Sequence, residues 1–509
     1  MARLSHRRAE RKHGAQVPQR PFRLLRSPYP PLELLSADQI EAIHETSLRI
    51  LEEIGLQILD DEAMEILRRQ GARIDPDSCM VRLDRGLVME RLSNAPSEFA
   101  LEARNPNRTL RMGGNAVNFS SVAGPPNCSD LDRGRRPGTL ADLQELLKLA
   151  QSLNAIHLLA GAPVAAIDQP AATRHLDVYK SYALLTDRVW QASALGKERI
   201  ADGIAINAIS RGLTLPEMAE RPGLLTIVNT NSPRRVDGPM LQGLMEMARH
   251  GQPVVVTPFT LAGAMSPVSL AGALALQNAE AIGLIAFIQM VRPGAPAIYG
   301  GFTSNVDMRT GAPAFGTPEY AKAVLAGGQL ARRYRLPYRS SNVNSATAVD
   351  AQAAYESAMS LWATVLAHTN LVYHGAGWLE GGLVASYEKM VLDAELLQEM
   401  AEFLQPLEVS EDTLAFDAIR EVGPGGHFFG AAHTLARYET AFYQPMLSDW
   451  RNFETWREAG AKTATERANQ IWKQLLADYE PPPTNPAIAE ALEDYIARRR
   501  PELEKNPPP

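Results

Sequence analysis

Residues 370–389 read NLVYHGAGWLEGGLVASYEK. The apolar run Leu371-Val372-Tyr373 leads into His374, then into Gly375, Gly377, Trp378 and Glu380, and Gly381 and Gly382 precede a helix-forming segment. A short apolar run, a glycine-rich turn and a helical pattern describe a buried strand that hands its last residues to a loop and then to a helix. An imidazole, an indole and a carboxylate fall close together there, and the glycines let backbone approach a ligand. The stretch is one strand–helix unit and reads as one wall of an active site.

The same unit recurs upstream. Apolar runs at 157–166, 188–195, 224–231, 253–261, 296–304, 337–344 and 370–377 alternate with helical segments at 174–186, 198–210, 239–250, 267–290, 318–334 and 350–368. Such alternation implies parallel strands joined by right-handed helical crossovers. The spacing predicts an α/β fold, a (β/α)8 TIM barrel with helical N-terminal and C-terminal extensions, with 425–433 as the eighth strand. Neither GxGxxG nor GxxxxGK[ST] occurs, which weighs against an open nucleotide-binding sheet.

The flanks divide accordingly. Residues 1–30 are expected as a disordered basic tail and 31–135 as an N-terminal extension packed on the barrel. The barrel itself is expected at 136–445, and a C-terminal helical extension at 446–509. Ser36, with Gln39 three residues on, marks the capping box of the first helix.

Composition narrows the function. The chain has 509 residues, 45% hydrophobic and 21% charged, as expected of a globular protein. A net charge of -7 gives no electrostatic basis for a nucleic-acid partner. No uncharged apolar run is long enough to span a membrane, and no apolar segment follows the basic N-terminus, so a cytoplasmic protein is expected. Two cysteines, Cys79 and Cys128, cannot build a disulfide framework or a thiolate zinc site.

In a barrel the chemistry gathers at the C-terminal ends of the strands. The third run ends in Asn229-Thr230-Asn231-Ser232, the fourth in Thr257-Pro258-Phe259-Thr260 and the fifth in Tyr299 to Asn305. The sixth ends in Ser340-Ser341-Asn342-Val343-Asn344-Ser345. Charged residues near these ends are few: Glu380, His374, Asp307, Arg309 and Arg339. Aromatics are frequent: Trp190, Phe259, Tyr299, Phe302, Tyr373 and Trp378. Aromatic faces attract a quaternary ammonium, and an imidazole or arginine opposite binds a carboxylate, which together describe a betaine-shaped ligand.

Several stretches carry a family resemblance: LSADQIEAIHETSLRILEEIGLQILDDEA, SDLDRGRRPGTLADL, VDAQAAYES, HGAGWLEGGLVASYEKMVLDAEL and the late GGHFFGAAHTLARYE with DWRNFETWREAGAKTATERA. The chain resembles the trimethylamine methyltransferase (MttB-like) family from about residue 29 to 479. The resemblance implies a barrel enzyme that moves a methyl group from a methylated amine to the Co(I) of a cobalamin-type corrinoid. That corrinoid rides on a separate partner protein, so no metal ligands are needed in this chain. The archaeal trimethylamine enzymes of the family carry pyrrolysine near the sixth strand's end. Here residues 341–349 are ordinary, which aligns the chain with members that take quaternary amines such as glycine betaine.

On that basis His374 and Glu380 are the expected catalytic residues, His374 anchoring the substrate and Glu380 offsetting the ammonium or fixing the loop. Trp378 and Tyr373 are expected as aromatic wall, with Tyr299, Asn229, Asn231, Asn342 and Asn344 as further substrate contacts. Gln352 and Glu356 are expected to orient the sixth loop, and His433 is a weaker candidate. The partners expected are a corrinoid protein, a small methylated amine or betaine, and further copies of the chain in a homo-oligomer. Trimethylamine as substrate, a barrel that binds quaternary amines without methyl transfer, and another barrel chemistry such as a lyase are the alternatives.

Overall fold

Eight parallel strands close into a barrel in the computed structural model, which describes residues 17–507. They are β1 (Ala116–Ser121), β2 (Leu158–Leu159), β3 (Val189–Gln191), β4 (Leu224–Thr230), β5 (Val254–Pro258), β6 (Ala297–Gly300), β7 (Tyr338–Ser341) and β8 (Leu371–Ala376). Leu158 of β2 pairs with Ser120 of β1, and Leu371 of β8 pairs with Asn118, so the sheet returns on itself. A helix follows each strand: α1 (Leu140–Ser152), α2 (Arg174–Leu185), α3 (Lys197–Arg211), α4 (Gly238–Arg249), α5 (Leu270–Val291), α6 (Pro318–Arg333), α7 (Ala351–Leu366) and α8 (Tyr387–Phe403).

The seven apolar runs are β2 to β8. The eighth strand is not where the sequence places it. Residues 425–433 hold a short 3-10 turn, Phe428–Gly430, and the start of a short helix, Ala432–Leu435. The missing strand is β1, so the barrel begins inside the span expected as an N-terminal extension. Its reading was masked because no helix follows directly. A hairpin of Asn127–Asp130 and Gly134–Pro137 intervenes and pairs with Val384–Ser386 beyond β8.

The expected basic tail divides at the described boundary. Residues 1–16 lie outside the described residues, whereas 17–30 are ordered against the barrel. Leu25 and Arg26 pair antiparallel with Val117 and Ala116 of β1. Gln19 donates to the carbonyl of Ser152, and His157 Nε2–H to that of Arg23. The segment thus covers the N-terminal end of the barrel, away from the strand ends that carry chemistry. The next helix, Ala37–Arg49, opens with the Ser36–Gln39 capping box.

Strand period 2 sorts the core into two layers. Leu158, Val189, Leu225, Val255, Ile298 and Leu371 fill the barrel interior. Their neighbours, such as Trp190, Val256 and Tyr299, pack outward against the helices. Among the described residues α5 is the one helix long and apolar enough to cross a membrane, and most of it is buried in the helical shell. Its one carboxylate, Glu280, is fully buried and accepts from Thr230 Oγ1 at 2.5 Å, Ser232 Oγ at 2.7 Å and the Arg234 amide at 2.7 Å. The α5 helix therefore pins the loop that leaves β4.

Candidate active site

β8 breaks its own periodicity at the residues that matter. Consecutive side chains of a regular strand point to opposite faces. Tyr373 and His374 are consecutive, yet both line the cavity at the C-terminal end of the barrel. The pairing of β8 with β1 shifts register between Val372 and Ala376, and His374 has φ +53°. The irregularity turns both rings inward, the kind of local re-aiming that bulges supply beside active sites.

The cavity has a volume of about 860 Å³ and takes residues from the ends of all eight strands. One side is aromatic. Trp378 lies 3.9 Å from the His374 ring centre and 6.3 and 6.4 Å from Phe302 and Phe315. Phe259 stands 5.1 Å from Phe302. Gly382, at φ +97°, makes room for the indole: a Cβ there would meet the Trp378 ring at 2.5 Å.

Arg339, from the middle of β7, is the charge at the centre of this wall. It is 2% exposed, and its guanidinium lies 4.7 Å from the Tyr373 ring centre and 5.3 Å from that of Phe302. Among the described residues no carboxylate pairs with it. Its one side-chain hydrogen bond among them is a long 3.5 Å contact from Nη1 to the Gly301 carbonyl, and Nε has none. Burial lowers its pKa to about 10, so it is still a cation at neutral pH. Among the described residues the other cavity-lining cations are Arg174 and Arg199, and no aspartate or glutamate lines the cavity.

The titratable groups beside Arg339 are neutral. Burial, reinforced by the Arg339 charge, holds His374 well below the ordinary histidine range, and its Nδ1 has no hydrogen-bond partner. Burial pushes the Tyr373 phenol up. The Tyr373 hydroxyl donates to Gln191 Oε1 at 2.5 Å and also contacts the Ala160 carbonyl, which ties β8 to β2 and β3 across the barrel.

Four of the nine sequence-predicted site residues line the cavity: His374, Tyr373, Trp378 and Asn229. The other five do not. Tyr299 faces the opposite way from Ile298 by strand periodicity, and its hydroxyl donates to Asn278 Oδ1 of α5 at 3.0 Å. Asn231 accepts from the Asp237 amide at 3.2 Å in the turn after β4. Glu380 pairs with Arg135 of the hairpin, Nε to Oε2 at 3.1 Å.

Asn342 and Asn344 are fully buried behind the wall and hold it. Asn342 Nδ2 donates to the Gly375 carbonyl at 3.0 Å. Asn344 Nδ2 donates to the Trp378 carbonyl at 3.0 Å, and the Asn344 carbonyl accepts the indole N–H at 3.3 Å. Glu356 accepts the amides of Ser345 and Ala346 at 2.8 and 3.0 Å and takes Gln352 Nε2 at 2.8 Å, so this pair does orient the loop after β7. His433 lies outside the cavity, with Nε2 3.2 Å from the Asp412 carbonyl.

Phe315, Gln191, His175 and Tyr179 line the cavity without having been singled out. Arg339 carried a sequence signal of its own, a charge in the middle of a buried strand, YRSS.

Relatives of this chain are consistent in kind. The family described as trimethylamine methyltransferase (MTTB) matches residues 2–504. The chain is 39% identical over 475 residues to the glycine betaine methyltransferase of Desulfitobacterium hafniense strain Y51, spanning 93% of this chain and 98% of that protein. It is 29% identical over 472 residues to the trimethylamine methyltransferase MttB of Desulfitobacterium hafniense strain DSM 10664 / DCB-2, spanning 91% and 92%. It is 28% identical over 477 residues to the trimethylamine methyltransferase MttB2 of Methanosarcina mazei, spanning 91% and 94%.

Proposed function

The chain belongs to the trimethylamine methyltransferase family, and from that premise we propose that it demethylates a carboxylate-bearing quaternary amine, glycine betaine or a close analogue, with a corrinoid protein as methyl acceptor. The observation that carries this reading is Arg339, a buried cation that has no counterion among the described residues, in a cavity that none of their carboxylates lines. A free trimethylamine or its ammonium ion offers nothing to that guanidinium, and the cationic form would be repelled. A betaine offers both complements: a carboxylate for Arg339 and a trimethylammonium head for the aromatic wall. The relative at 39% identity that bears the name glycine betaine methyltransferase points the same way.

The residues have defined work in this reaction. Arg339 takes the carboxylate and fixes which end of the zwitterion is which. Trp378, Phe302 and Phe315 surround the ammonium and keep water from it. Neutral His374 packs on Trp378 and adds no positive charge near the methyl groups. When the C–N bond breaks, the electron pair stays on nitrogen and the product leaves as a neutral tertiary amine, so no general acid is required. This suits a wall whose histidine, His374, is uncharged, in a cavity that no carboxylic acid lines among the described residues. Positioning in line with the acceptor is then the main contribution of the protein.

The acceptor would be Co(I) of a corrinoid on that partner, which would supply a strong nucleophile for the methyl group. The cavity is much larger than a small betaine and open on the strand-end face, leaving room for the edge of a corrinoid brought by a docked partner. Leu195, Arg174 and Arg199 are among the cavity residues that reach solvent and would meet such a partner.

A binding and transfer comparison tests the reading. Glycine betaine is expected to bind in calorimetry and to yield methyl-cobalt, seen in the visible spectrum, when the protein is mixed with a reduced corrinoid protein. Trimethylamine is expected to do neither. Equal or better transfer from trimethylamine would overturn the proposal.

A further inference from the structure

One register row crosses four neighbouring strands at the level of Arg339. Asn229 of β4 lies opposite Thr257 of β5. Val256 lies opposite Tyr299 of β6, and the register carries on to bring Thr257 beside Gly300, which lies opposite Arg339 of β7. The row reads Asn229, Thr257, Gly300, Arg339. Side chains directly opposite one another share a face of the sheet, and those on either side along each strand take the other face. Val228, Val256, Tyr299 and Tyr338 pack outward against the helices, and Ile227, Val255 and Ile298 pack inward one layer below. Asn229, Thr257 and Arg339 accordingly point into the barrel, and all three line the cavity.

Thr257 is the odd member of its strand. β5 reads Val254-Val255-Val256-Thr257-Pro258, so a hydroxyl stands where the pattern would continue with a fourth valine. The side chain is 2% exposed, and Oγ1 is buried without a hydrogen-bond partner among the described residues. A buried polar atom left unpaired opposes folding, and native chains carry few of them. Asn229 stands exposed to the cavity at the end of the row.

Gly300 leaves nothing between Thr257 and Arg339. A Cβ there would lie 2.3 Å from Thr257 Oγ1 and 2.4 Å from the Val256 carbonyl oxygen. The hydroxyl therefore leans over Gly300, toward the strand that carries Arg339. A glycine inside a strand marks this kind of close approach. The next residue, Gly301, supplies the carbonyl that Arg339 Nη1 reaches at 3.5 Å.

The row thus offers a guanidinium, a hydroxyl and an amide with one positive charge among them. A carboxylate complements it, because its two oxygens accept from donors on both sides at once. A trimethylammonium group has neither a hydrogen to donate nor a lone pair to accept, so the row does nothing for that end of a betaine. We infer, on the reading that the substrate is a betaine, that Thr257 is a further substrate-binding residue: its hydroxyl donates to one oxygen of the carboxylate while Arg339 binds the other across Gly300, with Asn229 closing the row.

The test separates the two ends of the substrate. In tert-butylacetate a carbon replaces the nitrogen of glycine betaine, so the carboxylate and the shape remain and the positive charge is gone. Calorimetry with the full chain is expected to show both ligands binding. Thr257→Val should weaken both by the same factor, about tenfold or more for one charge-assisted hydrogen bond. Thr257→Ser keeps the hydroxyl and should keep the affinity. The melting temperature of Thr257→Val should hold or rise, because the atom it removes has no partner in the fold. Unchanged affinity for both ligands in Thr257→Val overturns the inference and leaves the betaine reading standing. So does a loss confined to glycine betaine, which would put Thr257 at the ammonium. A wild type that binds tert-butylacetate through Thr257 but does not bind glycine betaine overturns the betaine reading and keeps the carboxylate row. A wild type that binds neither overturns both.

Discussion

Asp393 accepts the backbone N–H of Gly377 at 2.9 Å with one carboxylate oxygen and takes the Lys389 ammonium at 2.5 Å with the other. Both side chains are fully buried, and the ammonium also donates to Ser357 Oγ at 2.7 Å. Ser357 is in turn 3.4 Å from Asn344 Nδ2, which holds the Trp378 carbonyl. A buried ion pair on α8 thus fixes the glycine before Trp378, at φ +103°, while Asn344 fixes the tryptophan itself. Removing one partner of such a pair leaves an uncompensated charge. Lys389→Met is expected to cost about 3–5 kcal/mol of stability, measured by urea unfolding.

The same geometry says what Asp393 does for binding. Asp393→Asn and Trp378→Ala should each weaken glycine betaine binding, Trp378→Ala by about 1–2 kcal/mol per lost ring. The double variant should bind no more weakly than Trp378→Ala alone, since Asp393 acts through the indole. Additive losses in the calorimetric cycle would mean that Asp393 reaches the ligand by another route.

Arg339→Met should separate affinity from stability. The charge-assisted hydrogen bonds it removes are worth about 1.5–3 kcal/mol, a loss of about 10- to 150-fold in betaine affinity. Melting temperature should hold or rise, because an unpaired buried cation is replaced by an apolar side chain of similar length. Unchanged affinity would remove Arg339 from the site.

Glu380→Gln should change little. Its carboxylate pairs with Arg135, half exposed, on the hairpin outside the cavity, and such pairs are worth about 0–1 kcal/mol. A loss of transfer activity beyond about tenfold would place the carboxylate in the chemistry after all.

Stability should fall on acidification through His157. Burial lowers its pKa to about 4, and in the unfolded chain it returns to the ordinary value near 6.5. Between these values the unfolded state binds the proton and the folded state does not. The contribution is therefore complete above pH 6.5 and is lost as pH falls toward 4, on the order of 3 kcal/mol in all. His157→Gln should flatten the dependence of unfolding free energy on pH across that window. An equally steep slope in the variant would assign it to other groups.

What the sequence by itself determined was the class of the molecule and one wall of its site. Seven of eight barrel strands are readable because each is a continuous apolar run followed directly by a helix. The His374–Trp378 loop stands out because its chemistry is packed into one short stretch. What only the tertiary structure decided was direction and pairing. Tyr299 and Ile298 look alike as apolar strand residues, and the one-residue alternation of the closed sheet sends one to the helices and the other to the interior. Asn342 and Asn344 carry the same amide as Asn229, but backbone 33 and 34 residues away claims them, and Asn229 is left to the cavity. Arg339 is visible as a charge in a strand. That no carboxylate among the described residues faces it is a property of eight strand ends brought together, and no local pattern in the chain encodes it.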